Sequence, residues 1–213
     1  MFQYKIDDEV SLALPRPKID AEVVYDLIDA SRDELVPWLT WPVDMKTVAD
    51  EEHALVRNLE NFGKGISVAT IIMFNNQPAG SISFNRFHKL DNSTEIGYWL
   101  ATKFVGKGIM QRAVTGMCEL GFTDYKVNKI EIHTAVENIR SNKVAERAGF
   151  HLDGLIRANE LLEDGYHNVL LTDYHKINKK LYYFNPDTKS LAINRNISYL
   201  GKRWQVNQHG QLH

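Results

Sequence analysis

EIGYWLATKFVGKGIM, at residues 95 to 110, is the most informative stretch of the sequence, because a strand, a glycine turn and a helix start follow one another in it. Strand-forming residues predict a strand at Thr94 to Ala101, and apolar residues at helical spacing predict a helix at Gly106 to Tyr125. Gly106 and Gly108 let the backbone approach a ligand closely. The free amides of the first helical turn, supported by the helix dipole, are suited to hold a pyrophosphate.

Two glycines before a helix are a weak signal alone, because a tight turn that only permits close packing has the same sequence. The pattern is not a P-loop, which needs wider spacing and a Ser or Thr after its lysine. It is not the dinucleotide-binding fingerprint either, which needs a third glycine and an early position in the chain. The choice between a ligand-binding turn and a structural turn therefore depends on the surrounding sequence.

The elements around this junction lack the regular alternation of a doubly wound sheet. Upstream, the patterns predict a strand at residues 9 to 14, a helix N-capped by Asp20, a broken helix at residues 31 to 41, a helix at residues 47 to 62, and strands at residues 65 to 74 and 81 to 87. Downstream, they predict strands at residues 129 to 135, 150 to 157 and 168 to 177, and a helix at residues 141 to 148 that ends at Gly149. The expected fold is α+β, with a mixed, mostly antiparallel, six- to seven-stranded sheet flanked by helices.

The composition fits one catalytic domain of ordinary size, since 213 residues can bury a full core. With 25 basic and 27 acidic residues, the formal charge of -2 provides no overall field for nucleic acid or an anionic membrane. Cys118 is the single cysteine, which excludes an intramolecular disulfide, and the eight histidines lack zinc-like spacing. The N-terminus has acids where a signal peptide needs an apolar run. We expect a cytoplasmic, soluble protein without a metal, direct nucleic-acid contact or membrane contact.

Residues 130 to 154, IEIHTAVENIRSNKVAERAGFHLDG, together with the glycine turn, resemble the core of the GNAT superfamily of N-acetyltransferases. DELVPWLTWP at residues 33 to 42, and Gly154 to Arg157 with Glu160, resemble the branch that acetylates N-terminal amines of ribosomal proteins. The resemblance covers roughly residues 5 to 177 and implies the GNAT fold, acetyl-CoA as co-substrate and an amine acceptor. Two residues depart from the superfamily pattern: Val105 stands where Arg or Gln is usual, and Met110 where a small residue is usual.

The resemblance also implies where acetyl-CoA binds. The molecule is expected to lie in a splay between the strand Thr94 to Ala101 and the strand Lys129 to Ala135, with its pantetheine arm paired to backbone groups. The amides of the glycine turn would take the pyrophosphate, Asn138 the pantetheine arm, and Ser141 would lie near the thioester sulfur. The residues expected to bind the cofactor are Trp99, Leu100, Ala101, Gly106, Lys107, Gly108, Ile109, Met110, Asn138 and Ser141.

Three tasks follow from attack of an amine on a thioester. Glu160 is the candidate base, because a terminal amine with a pKa of about 7.7 to 8.0 needs only a modest proton acceptor. Ser141 is the candidate donor to the leaving thiolate. A backbone amide at a bulge near Trp99 to Ala101 would hold the oxyanion. Two plainer interpretations stay open: Ser141 as the N-cap of its helix, and Glu160 as a solvated carboxylate in the turn before Gly165.

Other functions remain open at this stage. The acceptor is expected to be the N-terminal amine of a protein, but a small amine or an antibiotic fits the same fold. A noncatalytic acyl-CoA-binding module is the alternative of a different class. Trp38, Trp41, Tyr98 and Trp99 either line a substrate groove or fill the core, and the core is favoured for at least half of them. A homodimer is an expectation from the resemblance.

The C-terminal segment differs in composition from the rest. It has aromatic patches separated by Asn, Asp and Gly turns, which predict short β-hairpins. We therefore divide the chain into a GNAT domain at residues 1 to 178 and a β appendage at residues 179 to 213. A weak repeat with an offset of 22 residues is similar to glucan- or choline-binding repeats of surface proteins, but covers little more than one unit. A structural appendage is favoured over glycan binding.

Overall fold

The computed structural model describes residues 2 to 162, 164 to 175, 195 to 199 and 202 to 206. In these residues the helices are α1 (Pro17–Asp29), α2 (Arg32–Leu35), α3 (Val48–Gly63), α4 (Ile109–Thr123) and α5 (Ile139–Arg147), with 3-10 turns at Trp41–Val43 and Thr102–Phe104. The strands are β1 (Gln3–Lys5), β2 (Val10–Ala13), β3 (Val68–Phe74), β4 (Gln77–His88), β5 (Ser93–Leu100), β6 (Lys129–Ala135), β7 (His151–Leu162), β8 (Gly165–His175), β9 (Arg195–Tyr199) and β10 (Lys202–Val206).

Eight of these strands form one sheet in the order β1-β2-β3-β4-β5-β6-β8-β7, and β9 pairs with β10 in a separate sheet. Neighbours in the large sheet are antiparallel except β5 and β6, which are parallel. The predicted α+β fold with a mixed, mostly antiparallel sheet is confirmed, but the sheet has more strands than the six to seven expected. The additional strand is β1, whose three residues are too few to show a period.

The ladder between β5 and β6 is short, and this opens the sheet. Residues 93 to 95 pair with residues 129 to 131, and no further pair forms in the described residues although both strands continue. The amide of Ala101 donates to the carbonyl of Ala79 at 2.9 Å, on the β4 side. Because hydrogen-bond direction alternates along an antiparallel strand, the amide of Leu100 points the other way, towards β6. The predicted splay between these strands is therefore present.

Helices cover both faces of the sheet. α1 and α3 lie over the face that carries Ala69 and Ser83. α4 packs on the opposite face, where a Cβ added to Gly121 would lie 2.9 Å from the side chains of Phe84 and Ile130. The core is built from apolar side chains with at most 1% exposure, including Ile72, Ile82, Phe84, Val114, Met117 and Ile130. Cys118 is buried, as expected, and burial raises the pKa of its thiol.

Two of the helical segments differ markedly from the sequence prediction. α1 begins at Pro17 and not after Asp20, because proline is well suited to the first helical turn. Asp20 is instead buried, and its carboxylate accepts hydrogen bonds from the backbone and the guanidinium of Arg16 at 2.7 and 2.6 Å. The broken helix predicted at residues 31 to 41 is one turn of α2 followed by the 3-10 turn at Trp41–Val43.

Gly80 holds β4 against β5 next to the opened part of the sheet. A Cβ at this position would lie 2.3 Å from the carbonyl oxygen of Trp99 and 2.9 Å from the Cα of Leu100. We expect Gly80→Ala to lower the free energy of unfolding by about 3 kcal/mol, because both obstructing atoms are backbone and the strands must separate. Urea unfolding followed by circular dichroism measures this. Gly63→Ala is the matched control, since a Cβ there meets nothing within 4 Å, and equal losses in both variants would contradict the prediction.

The segment beyond β8 is described in part. β9 and β10 form an antiparallel pair in which Arg195 lies opposite Val206, so the predicted hairpin in the C-terminal segment is confirmed for these residues. The predicted boundary between residues 178 and 179, and the first unit of the weak repeat, lie outside the described residues. Among the helices that the structure describes, none has the length and apolar character needed to span a membrane.

Candidate active site

A cavity of about 560 Å³ occupies the gap between β5 and β6, and we call it the splay cavity. Its wall includes nine of the predicted site residues: Trp99, Leu100, Gly106, Gly108, Ile109, Met110, Asn138, Ser141 and Glu160. Two predicted residues are not on this wall. Ala101 is 1% exposed within the core, and the ammonium of Lys107 lies 5.4 Å from the ring centre of Phe104. The structure thus brings residues from β5, α4, α5 and β7 to one cavity.

The glycine turn has the geometry of an anion-binding helix start. Gly106 and Gly108 have φ values of +84° and +69°, and Gly108 is the N-cap of α4 without any side-chain cap. A Cβ at either glycine would meet nothing within 4 Å, so the space in front of the turn is open. The amides of Ile109 and Met110 lack acceptors within the helix because they belong to its first turn. They are available to an anionic group in the splay cavity.

The two departures from the superfamily pattern leave this turn intact. Val105 is 45% exposed at the cavity wall, and Met110 is 7% exposed and belongs to the main core cluster. The longer side chain of Met110 is accommodated by packing in the core. The residues present therefore fit a coenzyme A pyrophosphate at the turn and a pantetheine arm along the open edge of β5.

Ser141 is positioned by the start of α5. The side-chain oxygen of Asn138 accepts the amide of Ser141 at 3.1 Å, so Asn138 is the N-cap and the interpretation of Ser141 as the cap is wrong. The Ser141 hydroxyl is instead 2.8 Å from the phenol oxygen of Tyr98. Burial raises the pKa of Tyr98 to about 12, so the phenol stays protonated and can donate to Ser141. Sequence reasoning missed this role of Tyr98, since the pair is 43 residues apart.

Glu160 lies in β7 opposite His167 of β8, and not in the turn where its plainer interpretation placed it. β7 extends to Leu162 although residues 158 to 162 are weak strand formers, because the pairing with β8 stabilises it. The pKa of the Glu160 carboxyl is raised above its ordinary value, first by burial and then by the charge of Glu95. A carboxylate with a raised pKa accepts a proton more readily than an ordinary glutamate, which suits a general base.

Glu95 and His133 also line the splay cavity. The amide nitrogen of Asn85 donates to the carboxylate of Glu95 at 3.1 Å, and the Nδ1 atom of His133 is 3.8 Å from the same carboxylate. The Nε2 atom of His133 has no hydrogen-bond partner in the part of the chain that the structure describes. These groups set the electrostatic surroundings of Glu160, and sequence patterns gave no sign of them.

A second cavity of about 490 Å³ lies between the sheet and helices α1 and α3, and we call it the helix-side cavity. It shares wall residues with the splay cavity, namely Leu39, Asn85, Gly97, Tyr98, Trp99 and Glu160. The two cavities therefore meet across β5. All four aromatic residues considered for a substrate groove line one or both cavities, with Trp38 in the splay cavity and Trp41 in the helix-side cavity, 6.0 Å from Trp99.

The predicted bulge for an oxyanion site is absent. The register of β5 with β4 is regular from Ile96 to Leu100, and the irregularity lies further back, between Phe84 and Phe87 of β4. A bulge is not needed to direct an amide into the cavity, because the alternation along β5 already points the amide of Leu100 there.

Comparison with known proteins agrees with this geometry. The family described as acetyltransferase (GNAT) domain matches residues 10–151, which is more than half of the chain. The ribosomal-protein-serine acetyltransferase of Escherichia coli (strain K12) is 31% identical over 148 residues, covering 70% of this chain and 83% of the relative. The putative ribosomal N-acetyltransferase YdaF of Bacillus subtilis (strain 168) is 27% identical over 181 residues, covering 84% and 97%.

A solved structure also matches: the microcin C7 self immunity acetyltransferase MccE, in complex with acetyl-CoA and AMP, has a TM-score of 0.76 at 27% identity, covering 80% of this chain and 94% of that one. The fold and the site define an acetyl-CoA-dependent N-acetyltransferase. The chain belongs to the GNAT acetyltransferase family.

Proposed function

We propose that the protein acetylates the N-terminal α-amine of a protein, and that a ribosomal protein in the cytoplasm is its acceptor. The main support for this proposal is that the splay cavity and the helix-side cavity meet, with Trp99 and Glu160 on the wall of both. The splay cavity suits the thioester, and the helix-side cavity suits the first residues of an acceptor. The ribosomal acceptor is supported by the names of the two curated relatives.

Acetyl-CoA supplies a thioester carbonyl that a neutral amine attacks. Glu160 accepts the proton of the attacking amine, directly or through a water molecule, because its raised pKa makes it a stronger proton acceptor than an ordinary glutamate. The amide of Leu100 points into the gap and stabilises charge that develops on the carbonyl oxygen. Ser141 donates a hydrogen bond to the sulfur as the carbon–sulfur bond breaks, and Tyr98 donates one to Ser141. The coenzyme A thiolate then takes a proton from solvent, while Glu160 releases the proton of the amine to solvent.

Ser141→Ala is expected to lower kcat about tenfold, because the leaving thiolate loses its hydrogen-bond donor. Tyr98→Phe should have a smaller effect, since it keeps the Ser141 hydroxyl and removes only the group behind it. Release of coenzyme A thiol at saturating substrate concentrations measures both. An unchanged kcat in Ser141→Ala would contradict the role of this hydroxyl.

The acceptor is tested by incubating the protein with acetyl-CoA, peptides with free or blocked N-termini, and small primary amines. Thiol release together with a mass increase of one acetyl group on the free N-termini supports the proposal. Transfer to small amines alone would keep the reaction and replace the acceptor by a small amine or an antibiotic. Binding of acetyl-CoA without any transfer would favour the noncatalytic module and contradict the proposal.

A further inference from the structure

Glu51 is a buried carboxylate with no cation in direct contact among the described residues, although the charge of Arg57 acts on it. It lies in the first turn of α3, after a capping box formed by Thr47 and Asp50, and faces inwards with Leu55. Its exposure is 5%, and its carboxylate makes no hydrogen bond or salt bridge to any residue that the structure describes. Asp20, which is buried to the same degree, has its charge compensated by Arg16. Glu51 is therefore not explained by the packing of the fold.

Glu51 lines the helix-side cavity, where the acceptor is expected to enter. The other titratable groups on this wall are Arg57 of α3, Tyr98 of β5 and Glu160 of β7, while α1 and β3 contribute apolar residues and Thr70. Two carboxyl groups thus face one guanidinium. The amine that attacks the thioester must be neutral, so it supplies no lasting positive charge. A second cation on the acceptor would balance the charge of the cavity.

The protonation state of Glu51 depends on whether a cation lies beside it. Burial raises the pKa of its carboxyl to about 7, and Arg57 lowers it in part. At neutral pH the group is therefore divided between its two forms. Its place in the first turn of α3 favours the ionised form through the helix dipole. A cation brought in by the acceptor would favour this form further, whereas a carboxyl group that only fills space would stay protonated and be indifferent to the acceptor.

We propose that Glu51 is a specificity-determining residue that pairs with a second cationic group of the acceptor, beside the amine that is acetylated. This inference rests on the proposed function, because it assumes acetylation of an N-terminal amine. It adds the class of polypeptide that is acetylated. That class is a polypeptide whose first or second side chain is positively charged.

The test uses two peptides that differ only in having arginine or its neutral isostere citrulline at the first or second position. Arginine is chosen because its side chain is not itself an acceptor. We expect the wild type at pH 8 to have a kcat/KM about tenfold higher for the arginine peptide, and Glu51→Gln to bring this ratio to about one. The citrulline peptide should react equally well with both proteins. Glu52→Gln is the matched control, because Glu52 is the next residue of α3 and does not line the cavity.

In the wild type, the ratio of kcat/KM for the arginine peptide to that for the citrulline peptide should fall as the pH is lowered from 8 to 6, because Glu51 becomes protonated. In Glu51→Gln the ratio should not change with pH. The pKa of Tyr98 is raised to about 12, so the phenol stays protonated in this range, and any change at Glu160 cancels in the ratio because it acts on the attacking amine of both peptides. A wild-type ratio near one would overturn the inference, and so would an equal loss for both peptides in Glu51→Gln. Acetylation of the citrulline peptide would still support the proposed function in either case.

If no peptide is acetylated, the proposed function fails while the inference is still tested. Calorimetric binding of argininamide and citrullinamide to the protein with coenzyme A compares the same two side chains without turnover. A preference for argininamide that is lost in Glu51→Gln supports the inference, and equal binding of the two compounds overturns it.

Discussion

Replacement of Glu160 by glutamine is expected to lower kcat for acetyl transfer about a hundredfold or more. A positioned general base contributes about 10²- to 10⁴-fold, and glutamine keeps the size of the side chain but cannot accept the proton. The position of Glu160 in the ladder between β7 and β8 is a backbone feature, so the substitution leaves the strand pairing unchanged. Steady-state kinetics with a peptide acceptor give kcat, and a separate titration gives the affinity for acetyl-CoA, which should stay the same.

The pH dependence of kcat tests whether Glu160 is the general base. The pKa of Glu160 is raised by burial and by Glu95, so activity should be lost at a higher pH than an ordinary glutamate would allow, as the base becomes protonated. Glu95→Gln removes one of the causes and should move this loss of activity to lower pH. If Glu160→Gln keeps more than half of the wild-type kcat, Glu160 is not the base, and Glu95 becomes the candidate.

Much of the fold was predictable because its signals are local. The β-branched residues of β3, the apolar spacing of α4 and the glycine that ends α5 each lie within one element, and the structure contains all three. The errors in the sheet came where pairing between strands determines the structure. β1 is too short to show a period, and the end of β7 is a strand because β8 lies beside it.

The candidate site was predictable only where a residue type restricts the local backbone conformation, as at the glycine turn. Gly106 and Gly108, predicted to let the backbone approach a ligand closely, adopt the left-handed conformation that glycine tolerates. The partnership of Tyr98 with Ser141 joins two elements far apart in the chain. The isolation of Glu51 is a property of the folded molecule as well, since the same residue on an exposed helix face would be solvated and unremarkable.

Gly108→Val is expected to weaken acetyl-CoA binding about 30-fold. Gly108 has a φ of +69° at the start of α4, and a β-branched residue is strained there by about 2 kcal/mol, which corresponds to about a 30-fold change in affinity. The free protein can relieve this strain by moving the turn, so that restoring the anion-binding geometry costs energy during binding. Isothermal titration with acetyl-CoA measures the change.

Gly108→Asn is the matched control for the turn, because asparagine tolerates the left-handed conformation and an added Cβ meets nothing within 4 Å. It should keep an affinity close to that of the wild type, although its side chain is about as large as that of valine. The two variants thereby separate the effect of backbone conformation on binding from the effect of side-chain size. A similar loss in both variants would mean that space in front of the turn is the limiting factor, whereas unchanged binding in Gly108→Val would refute the assignment of the pyrophosphate to this turn.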